Sequence, residues 1–271
     1  MKYGFIGVGN MGGAILRGMV SCGNFAEDTI LGFDSDQNKL ETTAKETGLI
    51  SSSSTKELVK ESDVVILAVK PQQLASVLSQ IIDVQDLQEK LFISIAAGYP
   101  IQRIRKLLLN SKVPVIRVMP NLNASVGEAI TAICQDSPAS EEQFRIADKI
   151  FSSVGETVLL TEKLLGAFSA VAGASPAFTF MYADALAMAG VQAGIPRDLS
   201  LKIALQAIKG SCINASTSSE HPDLLRDRVC SPGGTTIEGV TVLEEDGFKG
   251  TVMDAVRAVI EKDELLSQNN E

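Results

Sequence analysis

Tryptophan is absent from the 271 residues, and histidine occurs once, at His221. Four cysteines, Cys22, Cys134, Cys212 and Cys230, are scattered without a C-x-x-C pair. One imidazole and no paired thiols make too poor a ligand set for zinc, so no metal site is expected. The same scatter reads as reduced thiols in a cytoplasmic protein rather than a disulfide framework. Positive charge is also in short supply. Lys and Arg number 24 against 33 Asp and Glu, a formal charge of −9 that argues against nucleic acid or an anionic membrane as partner. The opening residues do not read as a basic, cleavable leader, because a strand pattern starts at Lys2. What remains, 45% hydrophobic and 21% charged, is ordinary globular composition in a chain long enough for two cores.

The most informative stretch runs from Lys2 to Ala14, K-Y-G-F-I-G-V-G-N-M-G-G-A. An apolar run, Tyr3 to Val8, carries Gly7, Gly9 and Gly12 as G-x-G-x-x-G, and Ala14, Ile15, Leu16 and Met19 follow at helical spacing. In such a strand-turn-helix the first glycine permits the tight turn and the second lets a pyrophosphate approach the backbone. The third lets helix lie on strand, and the amides of the helix start face the phosphates. Thr29 to Phe33 reads as the second strand, ending at Asp34. An acid there accepts hydrogen bonds from ribose hydroxyls and repels a 2′-phosphate, a lean toward NADH over NADPH. Asp34 reads equally well as a turn former before Ser35-Asp36.

Alternation continues. Ser54-Thr55-Lys56-Glu57 has the form of a capping box opening a short helix. Asp63 to Val69 is apolar after its first residue, as in a strand buried on both faces, and stops at Lys70-Pro71. Leu91 to Ile95 leads into Ala96-Ala97-Gly98, and Val115 to Met119 into Pro120-Asn121. Ala129 to Cys134 and Thr157 to Leu160 read as further strands, with a helix between them begun by Ser140. The pattern predicts an α/β Rossmann-type doubly wound sheet over residues 1–162, then an all-α domain over 163–271. Leu164 to Ile195 holds a single charged residue, Asp184, so a membrane span has to be weighed. Its richness in Ala, Gly and Ser, the interruption at Ser175-Pro176 and the stop at Gly194-Ile195-Pro196 argue against one. A helix apolar on all sides must be covered, and this half of the chain is too small to do it alone. A homodimer or larger assembly through the C-terminal helices is therefore expected. Pro196 to Asn214 and Phe248 to about Ser267 read as further helices, ahead of a frayed polar tail.

A second chemical stretch spans Arg228 to Gly239, R-V-C-S-P-G-G-T-T-I-E-G. Two glycines feed a helix start that carries the box Thr235-x-x-Glu238. Backbone amides at such an end suit a carboxylate or a phosphate, and the hydroxyls of Ser231, Thr235 and Thr236 add donors. A capped helix after a loop is the equally good plain reading.

This stretch, with Pro222-Asp223-Leu224-Leu225-Arg226-Asp227 ahead of it, resembles the signature of the pyrroline-5-carboxylate reductase family. So, in order, do G-F-I-G-V-G-N-M-G-G-A, A-V-K-P from Ala68, A-A-G from Ala96, M-P-N from Met119 and G-A-S-P-A-F from Gly173. The resemblance spans nearly the whole chain. It implies reduction of 1-pyrroline-5-carboxylate to L-proline by NADPH or NADH, in a Rossmann domain followed by an all-helical dimerisation domain. Carried over by position, the cofactor contacts fall on Ile6, Gly7, Val8, Gly9, Asn10 and Met11, then on Asp34 and Thr55. They continue at Ala68, Val69, Lys70 and Pro71, and at Ala96, Ala97 and Gly98. Members that prefer NADPH often carry a small hydroxyl residue at position 34 and asparagine at 55, so Asp34 and Thr55 depart from that pattern. The substrate loop falls on Ser231, Gly233, Gly234, Thr235 and Thr236, with Thr236 as the catalytic contact to the ring nitrogen.

The residue inventory agrees with such a reaction. An imine nitrogen is basic enough to arrive partly protonated, so no strong general acid is needed, and His221 reads as a helix-start residue before Pro222. Lys70 reads as a cofactor-phosphate contact or a solvated side chain. Two rivals stand beside this reading. A 3-hydroxyacid dehydrogenase-like oxidoreductase would use a lysine on the long inter-domain helix, where no charge stands between Lys163 and Asp184. A non-catalytic, dinucleotide-sensing relative would keep the fold without turnover.

Overall fold

The apolar runs of the first half become the strands of one eight-stranded sheet. The computed structural model describes residues 1–268. In chain order they form β1 (Lys2–Ile6), α1 (Asn10–Ser21), β2 (Thr29–Phe33), α2 (Gln37–Thr47), β3 (Ile50–Ser51) and α3 (Thr55–Glu61). Then come β4 (Val64–Leu67), α4 (Pro71–Ser79), β5 (Leu91–Ser94), α5 (Ile101–Leu107) and β6 (Val115–Met119). β7 (Ala129–Cys134), α6 (Glu141–Phe151) and β8 (Gly155–Leu160) complete the sheet. The helices that follow are α7 (Leu165–Phe168), α8 (Ser175–Gln192), α9 (Arg197–Thr217), α10 (Pro222–Val229), α11 (Thr235–Glu245) and α12 (Phe248–Gln268). The chain divides into two compact units, Met1–Gly173 with the stretch from Ile260 onward, and Ala174–Val259. The polar tail expected at the end lies beyond the described residues.

Strand order is β3-β2-β1-β4-β5-β6-β7-β8, so the chain reverses its direction of growth between β1 and β4. In an open α/β sheet that reversal leaves a crevice at the carboxyl ends of the two strands. Alternate residues serve opposite faces. On β4, Val65 and Leu67 join Ile6, Leu74, Leu78 and Phe92 in one apolar layer. Val64 and Ile66 join Phe5, Ile15, Leu16 and Met19 in the other. This is why the β4 run is apolar throughout. α1 lies so close on the sheet that a Cβ on Gly12 would stand 2.3 Å from the Gly7 carbonyl oxygen.

The sheet departs from the expected pattern in two places. β3 has two residues and was not foreseen, and β7 runs antiparallel to β6 although β8 is parallel to β7. Short edge strands and strand direction leave little trace in hydrophobic patterning. One free thiol, Cys134, is buried. Burial, with the Asp136 carboxylate beside it, pushes the Cys134 thiol up to about 12, which removes it as a nucleophile. Near it Glu162 Oε1 accepts from Arg117 Nη1 at 3.1 Å and from the Ile101 amide at 2.9 Å, joining β6 to the start of α5.

The interruption expected at Ser175-Pro176 takes the form of a change in helical winding just before it. Residues Ser169–Ala174 form a π-helical turn, and Pro176 then sits in the first turn of α8. There its missing N–H and its ring are tolerated, and the wider turn upstream absorbs the mismatch. Asn121 braces this turn, its side-chain amide donating to the Ala172 carbonyl at 3.0 Å. By length and composition alone the stretch Glu162–Gln192 is long and apolar enough to span a membrane, with mean hydropathy 1.5 in its most apolar window, a test that the core helix of a soluble protein also passes.

In the second unit α8 and α9 meet through small residues. Ala183, Ala187, Ser200 and Ala204 are buried, and the Ser200 hydroxyl donates to the Ala187 carbonyl at 2.7 Å. Large apolar side chains lie outside that seam: Met181 is 72% exposed and Met253 64%. Two apolar grooves of about 520 and 480 Å³ run between α8 and its neighbours, both reaching Phe178, Tyr182 and Phe248.

The close seat of α1 is testable. Gly12→Ala should destabilise the chain by about 1–3 kcal/mol through overpacking against backbone, read as a lower urea midpoint at unchanged slope. An unchanged midpoint would show that α1 moves away freely.

Candidate active site

The crevice at the β1/β4 reversal is a cleft of about 590 Å³. The strand-turn-helix at its centre folds as its residues require. Gly7 turns out of β1 with its amide donating to the Phe33 carbonyl at 2.8 Å, and α1 starts at Gly9 with no side chain capping it. The first amides of a helix have no intrahelical partner, so they and the positive end of the dipole remain available. A Cβ added at Gly9 would meet nothing within 4 Å, because that position opens directly into the cleft. Bare backbone facing a helix start with open space before it suits a diphosphate, and the residues present therefore fit a dinucleotide.

Asp34 closes one side. Its Oδ2 accepts from the Val8 amide at 2.9 Å and its Oδ1 from the Asp36 amide at 2.9 Å. The turn-forming reading of Asp34 is thus observed, in a side chain that also lines the cleft. Thr55 is buried, its hydroxyl donating to Gln80 Oε1 at 3.2 Å beside the cleft. Ser54 caps α3 through the Glu57 amide, while the Glu57 carboxylate turns back to Ser53 rather than to Ser54.

The cleft wall contains Ile6, Gly7, Gly9, Asp34, Thr55, Ala68, Val69 and Lys70 of the expected cofactor residues. The others lie outside that wall. Val8 is buried, Asn10 and Met11 form the first turn of α1, and Pro71 is the first residue of α4. Ala96, Ala97 and Gly98 follow β5 at the same carboxyl edge of the sheet, with Ala96 buried. Residues that sequence reasoning missed also line the cleft, among them Asp36, Lys39, Gln73 and Gln80. Lys39 was findable, being a cation one helical turn past the N-cap of α2.

The second stretch lies in the second unit. Ser231 to Gly234 form the turn between α10 and α11, with the Gly234 amide donating to the Ser231 carbonyl at 3.0 Å. Gly233 has φ +65°, and a Cβ at Gly234 would stand 2.3 Å from Ser231 Oγ, so the turn requires this glycine pair. The capping box expected at Thr235-x-x-Glu238 does not form. Gly234 is the N-cap, no side chain caps it, and Thr235 is already the first helical residue. The α11 start is therefore as open as that of α1, with Ser231, Thr235 and Thr236 exposed around it. His221, by contrast, is a cap: its Nδ1 accepts from the Asp223 amide at 3.3 Å at the head of α10. Asp223 in turn receives Lys249 at 3.4 Å and Arg226 at 3.2 Å, and these cations hold its carboxyl below the usual carboxylate range.

Comparison with known proteins decides the family. Residues 162–266 match the model for pyrroline-5-carboxylate reductase dimerisation, and residues 2–98 match the model for NADP oxidoreductase, coenzyme F420-dependent. The chain is 37% identical to the pyrroline-5-carboxylate reductase of Escherichia coli over 268 residues, 99% of each chain. The chain belongs to the pyrroline-5-carboxylate reductase family. Within that family it is 39% identical to the enzyme of Methanosarcina acetivorans over 98% of each chain. Among solved structures, a pyrroline carboxylate reductase from Plasmodium falciparum with NADP bound superposes at TM-score 0.86, with 32% identity and 98% of each chain covered.

The two roles of Asp34 give a test. Asp34→Asn keeps the shape but turns one N–H donor toward another, which costs about 1–3 kcal/mol. Urea unfolding should show that loss, and NADH titration followed by nicotinamide fluorescence should show weaker binding. Unchanged stability would mean that the bonds to Val8 and Asp36 carry nothing.

Proposed function

We infer that this chain reduces 1-pyrroline-5-carboxylate to L-proline, the last step of proline biosynthesis, as an NAD(P)H-dependent oxidoreductase acting on a C=N bond. The observation that carries the reading is the uncapped start of α11 behind Ser231-Pro232-Gly233-Gly234, in a chain that matches its family end to end. Bound NADH or NADPH supplies hydride to the imine carbon. The substrate carboxylate lies on the amides that begin α11, with the hydroxyls of Ser231 and Thr235 around it. Thr236 holds the ring nitrogen through its hydroxyl. Because that nitrogen arrives partly protonated, the chain contributes orientation rather than a strong acid. The cofactor is held by the amides after β1, by Asp34 and Thr55, and by the strand ends at Ala68 to Pro71 and Ala96 to Gly98.

Asp34 favours NADH, since its negative charge opposes a 2′-phosphate. The dehydrogenase rival lacks its lysine, as no charge separates Lys163 from Asp184. A sensing relative would have no use for the glycine-threonine loop. The second unit pairs with a second copy rather than lipid or nucleic acid, which its exposed methionines and the charge of −9 support, and the assembly works in the cytoplasm.

Thr236→Ala should lower kcat about tenfold or more, the loss of one transition-state hydrogen bond, while NADH affinity stays within twofold. Unchanged turnover would remove Thr236 from the mechanism. Met181→Glu should shift the chain toward monomer in sedimentation velocity at micromolar concentration; an unaltered assembly would place the interface elsewhere.

A further inference from the structure

One end of the β1/β4 cleft carries more charge than dinucleotide binding by Asp34 requires. Asp36 is the N-cap of α2, where its Oδ1 accepts from the Lys39 amide at 3.2 Å. Its Oδ2 meets Lys39 Nζ at 3.0 Å. Both side chains line the cleft with Asp34, and both are well exposed, at 42% and 60%. Lys70 stands after β4, so Lys39 is the cation on the β2 side of the cleft. Asp34 itself is held by two backbone amides, one on each oxygen, and is not free to turn away. The set Asp34, Asp36 and Lys39 thus carries one net negative charge, and its single positive charge is tied to a carboxylate.

We propose that the Asp36–Lys39 pair sets the dinucleotide preference of this cleft, Asp36 withholding from a 2′-phosphate the lysine that would otherwise receive it. The proposal rests on the reading that the cleft takes a nicotinamide dinucleotide. A 2′-phosphate brings about two negative charges to a rim that already has a surplus of one. NADH brings none there, so the rim favours NADH. The Lys39 ammonium holds the Asp36 carboxyl below the usual carboxylate range, and Asp36 raises Lys39 in return, so both stay charged at neutral pH. Freed of Asp36, the lysine becomes a mobile cation on a flexible stem, the type of group that receives phosphate as a point charge. Asp34 alone would make the cleft indifferent to position 39, whereas a pair makes the two positions interdependent.

The test is equilibrium titration of the full chain with NADH and with NADPH, without substrate, followed by nicotinamide fluorescence. It uses the wild-type chain, Asp36→Asn, Lys39→Gln and the double variant. Asparagine is an equally good N-cap, so α2 is retained, and thermal unfolding verifies this. The wild-type chain should bind NADH more tightly than NADPH. Asp36→Asn should tighten NADPH about fivefold, the size of one exposed charge contact, and leave NADH within twofold. In the Lys39→Gln background that gain should vanish. Raising salt should shrink the gain as well. A gain that persists without Lys39, or no gain at all, overturns the proposal while leaving the dinucleotide reading intact. Failure of every folded variant to bind either dinucleotide overturns that reading and the proposal with it.

Discussion

The carboxylate of Asp34 is the constraint on which the first unit depends. Through two short bonds it ties the turn after β1 to the turn after β2. Both turns line the cleft at the β1/β4 reversal. Without that tie the Val8 and Asp36 amides would have no partner in a half-buried site, at a cost of the order of 1–3 kcal/mol each. With it, the open end of α1 is held at a fixed distance from the end of β2. The same side chain therefore shapes the cleft and adds a negative charge to its β2 side.

The starts of α1 and α11 differ from those of α2, α3 and α6, although α5, α8 and α9 also begin without a side-chain cap. Helices α2, α3 and α6 are closed by the side chains of Asp36, Ser54 and Ser140. α1 and α11 begin at Gly9 and Gly234 with no side chain in the capping position. A glycine cap sacrifices part of the stability that a side-chain oxygen adds, and it leaves the amides exposed for an anion. On the proposed reading both open ends have a use, one for the cofactor diphosphate and one for the substrate carboxylate. The apolar exterior of the second unit fits the same account, since a dimerising domain keeps part of its core for another subunit.

Much of this was legible in the residues. The seven longer strands, the Gly7-Gly9-Gly12 turn, the Pro71 helix start and the Ser140 cap follow from local patterning. The family resemblance also pointed to the glycine-threonine loop. What escaped did so for physical reasons. The direction of β7 is decided by which neighbour it pairs with, not by its own alternation. The box at Thr235 failed because Gly234, held close to Ser231, takes the capping position one residue earlier. Pro176 sits in the first turn of α8 because a π-turn before it supplies the missing slack. Lys39 escaped because it stands in the first turn of α2, beyond the strand end where a cofactor contact is looked for, and only the fold brings it to the cleft wall.

The central claim is that the open start of α11 serves an imine acid and the cleft of the first unit serves the reductant. The most direct measurement follows absorbance at 340 nm with the purified chain, adding 1-pyrroline-5-carboxylate to NADH and to NADPH in turn, with proline quantified at the end. The account predicts reductant consumption only when the imine is present, proline formed in equal amount, and faster turnover with NADH. Consumption indifferent to the imine, or none with either dinucleotide, would contradict it.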